Sequence, residues 1–402
     1  MYEYIKSRVE RAISAFKKGR FAIILDDDIR ENEGDLVLSG NLVNTDSINF
    51  MLKKTTGIIC LAVSRDQADN LGLDLMVQHK DNTSHFKTPF TTTIEASKGI
   101  TTGVSSKDRA RTIFVASNSN SGPKDICKPG HVFPLIAQNH GVFSRQGHTE
   151  ASVDLSKIAG FNGSTVLCEL MNDSGEIMNR KEIKNFSKRF DIPIVNISDI
   201  YHYRLANEIF IKELVSTTIP LKYGTFQMST FLNMVDKTET VVLMKKFSDD
   251  PIVRVHSSCI TGDLFGSLKC DCQSQLFEAL SLISKKGGIL IYLNQEGRNI
   301  GLTNKLKAYN LQDSQNLDTV EANLSLGFPI DSRRYDVAVQ ILKNLKIGKF
   351  FLLSNNPEKV KAFQNVGLIV KQLNTKIKVT VFNKEYLKSK KEKLGHLIDG
   401  VE

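Results

Sequence analysis

Hydrophobic spacing along the chain switches repeatedly between a helical and a strand period. Between residues 7 and 18, Val9, Ala12, Ile13 and Phe16 fall on one helical face, and Gly19 supplies a stop. Residues 21–25 form an unbroken apolar run that predicts a buried strand ending in acid, and residues 164–170 predict another. In the second half, Leu276, Phe277, Leu280 and Ile283 predict a helix over 273–286, ended by Gly287-Gly288 and followed by a strand over 289–293. A helix over 335–345, a stop at Gly348 and a strand over 350–353 repeat the pattern. This alternation predicts an α/β or α+β build and excludes all-helical and all-β folds.

A length of 402 residues exceeds one ordinary hydrophobic core, so about two or three domains are expected. The apolar runs break up between residues 201 and 221, around His202, Arg204 and Pro220, which sets the expected boundary at 203/204. With 41% hydrophobic and 24% charged residues the composition is that of a globular protein, which excludes collagen, coiled coil and bulk disorder. No stretch approaches the roughly 20 uninterrupted apolar residues of a membrane span, and the N-terminal residues do not read as a secretory signal. The net charge of +9 suggests anionic partners, either nucleic acid, lipid or small phosphorylated substrates. Residues 384–393 are Lys-rich and read as a solvated helix. Six cysteines at this length do not make a disulfide scaffold, so a reducing cytoplasm is the expected setting. Three of them, Cys60, Cys127 and Cys168, read as packing residues, whereas Cys259, Cys270 and Cys272 are clustered.

In the first half, residues 26–35 put six carboxylates and Arg30 directly after a predicted strand. Like charges at that density repel unless a cation offsets them, and hard oxygen ligands suit Mg²⁺ or Mn²⁺. A solvated acidic loop is the plainer alternative. The run Arg145-Gln146-Gly147-His148-Thr149-Glu150 combines a cation, an imidazole and a hydroxyl, which suits a metal or a phosphate. A purely structural histidine is the alternative there. His131 is bracketed by Pro and Gly, and Glu169 follows Cys168 in an apolar strand, where burial could tune it as a general acid or base.

The stretches DDDIRENEGDLV, PGHVFPL, RQGHTEASVDL and CELMNDSG, with support from GIICLAV and TTGVSSKDRA, resemble 3,4-dihydroxy-2-butanone 4-phosphate synthase in sequence and in order. The resemblance implies conversion of ribulose 5-phosphate to the butanone phosphate plus formate, with Mg²⁺ or Mn²⁺, in a homodimer. It implies that Glu31 and His148 bind the metal and that Arg30, Glu31, Asp35, Arg145, Gln146, Gly147, His148, Thr149 and Glu169 contact the sugar phosphate. His131 and Glu169 are the essential pair in that family. Asp28 stands where the family commonly has Glu, a change of one methylene.

In the second half, Cys259, Cys270 and Cys272 do not have the spacing of a four-ligand zinc finger. Three soft ligands leave an open coordination position, as in catalytic zinc sites, where bound water is activated near neutral pH. Three unligated buried cysteines, or a structural site completed by His256, are the alternatives. The stretch from Arg254 to Ser258 precedes the first cysteine, Arg298 and Lys359 follow predicted strands, and cations so placed suit a polyphosphate.

The stretches RVHSSCITGDLFGSLKCDCQSQL, YLNQEGRNIGLTNKLKAYNLQD, LDTVEANLSLGFPIDSRRY, LLSNNPEKV and KLGHLI resemble GTP cyclohydrolase II. That resemblance implies that Cys259, Cys270 and Cys272 bind Zn²⁺. It implies GTP contacts from Arg254, Val255, His256, Ser257, Ser258 and Gln275, and further ones from Glu296, Gly297, Arg298, Thr319, Ser354 and Lys359. In the family's chemistry water attacks C8 of guanine, that carbon leaves as formate, and pyrophosphate leaves after attack at the α-phosphorus. Asp331 would be the proton acceptor and Arg333 the proposed nucleophile. A guanidinium with a pKa above about 12 is better suited to stabilising the phosphoryl transition state. Ser258 stands where the family usually has Glu, Asn294 where it has Arg, and Ser354 where it has Thr.

The expectation is a two-domain α/β protein. A synthase domain with an α/β fold (1–203) precedes a mixed α/β cyclohydrolase II domain (204–402), and the two supply two branches of riboflavin biosynthesis. Its partners are expected to be small molecules, not nucleic acid or membrane. The alternatives are a synthase whose cyclohydrolase half has decayed, motivated by Ser258 and Asn294, and a basic zinc protein that binds nucleic acid.

Overall fold

The computed structural model describes residues 1–26, 32–78, 80–315, 317–376 and 379–398. The chain divides into one compact unit of Glu3–Arg204 and another of Leu205–Glu402 with Met1–Tyr2. Among the described residues no helix is long and apolar enough to cross a membrane.

The first unit is built on a mixed sheet of β1 (Ala22–Leu25), β2 (Gly34–Ser39), β3 (Cys60–Val63), β4 (Ile94–Ala96), β5 (Ile126–Ile136), β6 (Thr165–Glu169) and β7 (Ile194–Asn196), in the order β4-β5-β3-β6-β2-β1-β7. The runs AIIL, GDLVLS and CLAV are buried at every position, as expected of strands covered on both faces. Ile23, Leu36, Leu38, Leu61 and Val166 form one core with Ile48, Met51, Ile113 and Ile183 from helices on that face. Alternation sends Ala22, Ile24, Val37 and Ala62 to the other face, against the helix His148–Ile158. That helix is buried from His148 through Ser156, and its small residues let it lie close to the sheet. The helix predicted over 7–18 runs Tyr2–Lys17, and Gly19 adopts a positive φ of 63° at its end.

The second unit has the sheet β14-β13-β11-β12-β10-β9-β8, from β8 (Ile211–Leu221), β9 (Gly224–Asn233), β10 (Glu239–Lys245), β11 (Ile252–Ser257), β12 (Gly288–Leu293), β13 (Lys349–Leu353) and β14 (Ile369–Leu373). The strands β11 to β14 pair in parallel, and β8 to β10 are antiparallel. The helix Cys272–Lys286 buries Ala279, Leu280 and Ile283 against Phe226, Leu290 and Leu353. A Cβ at Gly287, where φ is 79°, would lie 2.4 Å from the Lys246 carbonyl oxygen, so the predicted glycine stop is a steric requirement. The carboxyl ends of β11, β12 and β13 lie side by side, the usual position for a ligand crevice in a parallel sheet.

Two expectations fail. The Lys-rich segment is a helix, Lys384–Leu394, but Leu387, Ser389 and Lys390 are buried. Lys390 is tolerated there because its Nζ lies 2.8 Å from the Asp271 carboxylate, a partner that composition does not reveal. Cys127 is exposed on β5, so only Cys60 and Cys168 of the first three cysteines are packing residues.

Candidate active sites

In the first unit the register of β2 and β6 sets Asp35 directly opposite Glu169. Gly57 packs closely beside this strand end: a Cβ there would lie 2.9 Å from Glu169 Oε2 and 3.1 Å from Cys168 Sγ. Asp35 is buried, and the buried Cys60 thiol is pushed well up by burial first and then by the charges of Glu169 and Asp35. His148 opens the helix His148–Ile158, with Gly147 as N-cap, so the helix start faces the turn formed by 145–147. Within that turn Arg145 Nη1 donates to Glu150 Oε2 at 2.7 Å, and the Gln138 backbone N–H donates to Glu150 Oε1 at 3.0 Å. Glu150 is fully buried and aims Arg145.

His131 lies on β5, with β3 between it and Glu169, and its Nδ1 pairs with Glu95 on β4. Gly103, at φ 86°, passes so close to this pair that a Cβ would lie 1.7 Å from Glu95 Oε1. Asp108 holds that glycine loop, accepting from Thr101 Oγ1 at 2.6 Å, Thr101 N at 3.2 Å and Gly103 N at 3.1 Å. The Thr101 hydroxyl is the main reason its carboxyl sits below the usual range. Asp28, Arg30 and Glu31 lie outside the described residues. Glu95, Asp108 and Glu150, which hold His131, the Gly103 loop and Arg145 in place, do not stand out in the sequence, although Glu150 lies within a quoted motif.

In the second unit, among the described residues, Cys259, Cys270 and Cys272 are the one group of three potential metal ligands, with their Sγ atoms within 4.8 Å of one another. Gly262 makes the convergence possible: a Cβ there would lie 2.8 Å from Cys270 Sγ and 3.0 Å from Cys259 Sγ. Three thiolates with room beside them fit a zinc ion with one open position. His256 does not join them, since its Nε2 lies 3.1 Å from both carboxylate oxygens of Asp263. Asp263 also accepts from Tyr292 Oη at 2.8 Å and from Cys259 N at 3.0 Å, which fixes the loop carrying the first cysteine. Lys305 Nζ donates to Cys259 Sγ at 3.0 Å and to Glu296 Oε1 at 2.8 Å, and Glu296 also accepts from Gly297 N.

The cysteines open onto a cavity of about 460 Å³ that Ser257, Ser258, Gly297, Arg298, Thr319 and Arg333 also line. A smaller pocket of about 60 Å³ adjoins it through Ser257, Cys272, Arg333 and Tyr386. Arg254, His256, Gln275, Ser354 and Lys359 line this second pocket. Arg254 Nη2 donates to Gln275 Oε1 at 2.6 Å, while its buried Nε has no hydrogen-bond partner among the described residues. Lys359 Nζ donates to the Val255 carbonyl at 2.8 Å. Burial is the main cause lowering both the Arg254 and the Lys359 pKa; Asp271 offsets part of it at Arg254, whereas at Lys359 the Arg254 and Arg333 guanidinium groups add to it, a repulsion that a bound anion would relieve.

Arg333 binds Asp331 in fork geometry, with Nε 2.9 Å from Oδ1. Burial opposes the charge of Arg333, yet Tyr335 and the bonds to Asp331 outweigh it and raise its pKa. Burial likewise opposes ionisation of Asp331, and Arg333 more than offsets it. Of the departures, Ser258 is buried with its Oγ unbonded among the described residues, Asn294 is exposed, and Ser354 Oγ accepts from Asn356 N at 3.1 Å.

Residues 10–203 match the family 3,4-dihydroxy-2-butanone 4-phosphate synthase, and residues 212–374 match GTP cyclohydrolase II. Riboflavin biosynthesis protein RibBA of Parabacteroides distasonis is 42% identical over 407 residues, covering 100% of both chains. The protein of the same name from Cytophaga hutchinsonii is 43% identical and covers 96% of each. The crystal structure of RibBX from A. baumannii, described as a two domain 3,4-dihydroxy-2-butanone 4-phosphate synthase, is similar with a TM-score of 0.70 and 31% identity, covering 92% of this chain and 99% of that one. The chain belongs to the family of bifunctional riboflavin biosynthesis proteins, which join a 3,4-dihydroxy-2-butanone 4-phosphate synthase to a GTP cyclohydrolase II.

Proposed function

We propose that residues 1–203 convert ribulose 5-phosphate to 3,4-dihydroxy-2-butanone 4-phosphate and formate. Residues 204–402 hydrolyse GTP to the diaminopyrimidine phosphoribosyl product, formate and pyrophosphate. The convergence of Cys259, Cys270 and Cys272 over Gly262, beside a basic pocket, carries the second assignment. It argues against the reading of a decayed cyclohydrolase half and gives a zinc-dependent nucleic-acid binder no support.

In the synthase site, Asp35 and the turn 145–149 bind and orient the sugar phosphate, with the helix start and Arg145 taking the phosphate. Glu169 and His131 move the protons that enolisation and dehydration require, and Glu95 keeps the His131 ring in one orientation. His148 and Glu31 would hold Mg²⁺ or Mn²⁺, which supplies charge stabilisation to the enediolate oxygens.

In the cyclohydrolase site, the three cysteines would hold Zn²⁺, which activates water for attack on the purine ring. Arg254, Gln275, Lys359 and Ser354 bind the nucleotide's anionic end. Arg333, steered by Asp331, stabilises charge at the α-phosphorus. Glu296 and Lys305 fix the loop beside the first cysteine. All six cysteines are free thiols, which fits a reducing cytoplasm, and a homodimer is the expected assembly.

The decisive experiment incubates the purified chain with ribulose 5-phosphate and, separately, with GTP, and measures formate. Formate from both is expected. Formate from the sugar alone would overturn the bifunctional reading, and formate from neither would overturn both assignments.

A further inference from the structure

The helix Lys384–Leu394 lies beyond the span 212–374 matched to GTP cyclohydrolase II, although the stretch KLGHLI at its close resembles that family. It is nonetheless built into the cavity wall: Phe382, Tyr386 and Ser389 line the larger cavity, and Tyr386, Lys390 and His396 line the smaller pocket. Three ties hold it there. Lys390 Nζ lies 2.8 Å from Asp271, the residue between two of the clustered cysteines. Lys393 pairs with Asp318 and, at 3.1 Å, with Glu321. Leu397 N donates to the Asn355 carbonyl at 3.0 Å, which joins the chain after the helix to the loop following β13.

The smaller pocket therefore gathers Arg254, Arg333, Lys359 and Lys390. Among the described residues Arg333 and Lys390 each have a carboxylate partner, in Asp331 and Asp271, whereas Arg254 and Lys359 form no salt bridge. Four cations facing 60 Å³ with two carboxylates between them leave a net positive chamber. A phosphate chain neutralises such a chamber, since each of its oxygens can accept a charge-assisted hydrogen bond.

We propose that Lys390 is a nucleotide-binding residue: its ammonium, held by Asp271, completes with Arg254, Arg333 and Lys359 a seat for the polyphosphate of GTP. This rests on GTP being the substrate of the second unit. The helix thus adds a binding group to the site and is more than an external support.

The test uses the full chain with Lys390→Met, Lys390→Arg and the double variant Lys390→Met/Asp271→Asn. GTP turnover, zinc content, synthase turnover and the binding of inorganic tripolyphosphate are measured on each. Lys390→Met should raise KM for GTP and weaken tripolyphosphate binding by roughly tenfold, the value of one charge-assisted contact. Its zinc content and synthase turnover should stay at wild-type levels, and Lys390→Arg should recover most of the loss. The double variant also removes the buried carboxylate that Lys390→Met leaves with Gln275 Nε2 as its partner, so it separates binding from support. A KM still raised sustains the proposal, and a KM restored to wild type overturns it. Unchanged KM and tripolyphosphate binding in Lys390→Met, or a loss traced to missing zinc, also overturns it. Should the wild-type chain bind tripolyphosphate through Lys390 but leave GTP intact, the phosphate seat stands and the substrate assignment falls.

Discussion

Lys305 Nζ lies 3.0 Å from Cys259 Sγ. A fixed ammonium beside three sulfur ligands offsets negative charge that zinc alone does not cancel, and its bond to Glu296 fixes its position. Lys305→Met should lower cyclohydrolase kcat/KM by about tenfold or more. It should also speed zinc loss to a chelator and leave the synthase reaction intact. Wild-type zinc retention together with wild-type GTP turnover would refute this.

The two sites use separate residues, so each activity should be removable alone. Cys270→Ser should abolish zinc binding and GTP turnover while formate release from ribulose 5-phosphate persists. His148→Ala should do the reverse. Loss of both reactions in either variant, measured against zinc content and thermal stability, would contradict independent sites.

Gly103 is a test of the His131–Glu95 pair. Alanine there would have to tolerate a φ of 86° and place its Cβ 2.8 Å from His131 Nδ1, so the pair must part. Gly103→Ala is expected to reduce synthase kcat by about 100-fold, the cost of misplacing a proton-transfer group. GTP turnover should be unaffected. A synthase rate within a factor of about three of wild type would show that the pairing does not matter to the reaction.

The tail beyond the last helix should be sensitive to acid. Burial, reinforced by Lys390, Arg333 and Lys359, lowers the His396 pKa to about 3. A detached tail takes up a proton near the ordinary value of 6.5, whereas the docked tail resists it. The contribution of neutral His396 is therefore complete above pH 6.5 and is lost progressively as pH falls toward 3. Between pH 7.5 and 5.5, KM for GTP should climb in the wild type by up to about tenfold per pH unit below the ordinary value. His396→Gln should flatten that slope, and identical slopes in the two proteins would disprove the account.

Local chemistry was legible in the sequence where it is set by neighbours in the chain. The helix over 272–286 and its glycine stop follow from apolar spacing and from a turn in which a side chain at Gly287 cannot fit. The cysteine cluster was legible for the same reason, since two of its members are two residues apart. Asp35 opposite Glu169 was not, because strand register is decided by packing between distant segments. The helix His148–Ile158 shows no clear apolar stripe because it is buried on nearly every side. Lys390 reads as solvated in the sequence because its partner Asp271 lies 119 residues away in the chain. A lysine's burial cannot be inferred without the carboxylate that compensates it.

Gly262 gives a way to read other chains of this kind. With a Cβ at that position 2.8 Å from one cysteine sulfur and 3.0 Å from another, any larger residue obliges at least one of these side chains to shift. A relative that keeps all three cysteines but carries a side chain at the equivalent of Gly262 is therefore expected to hold zinc less tightly. That single position tells of the metal-holding quality of a second half where the more visible cysteines alone do not.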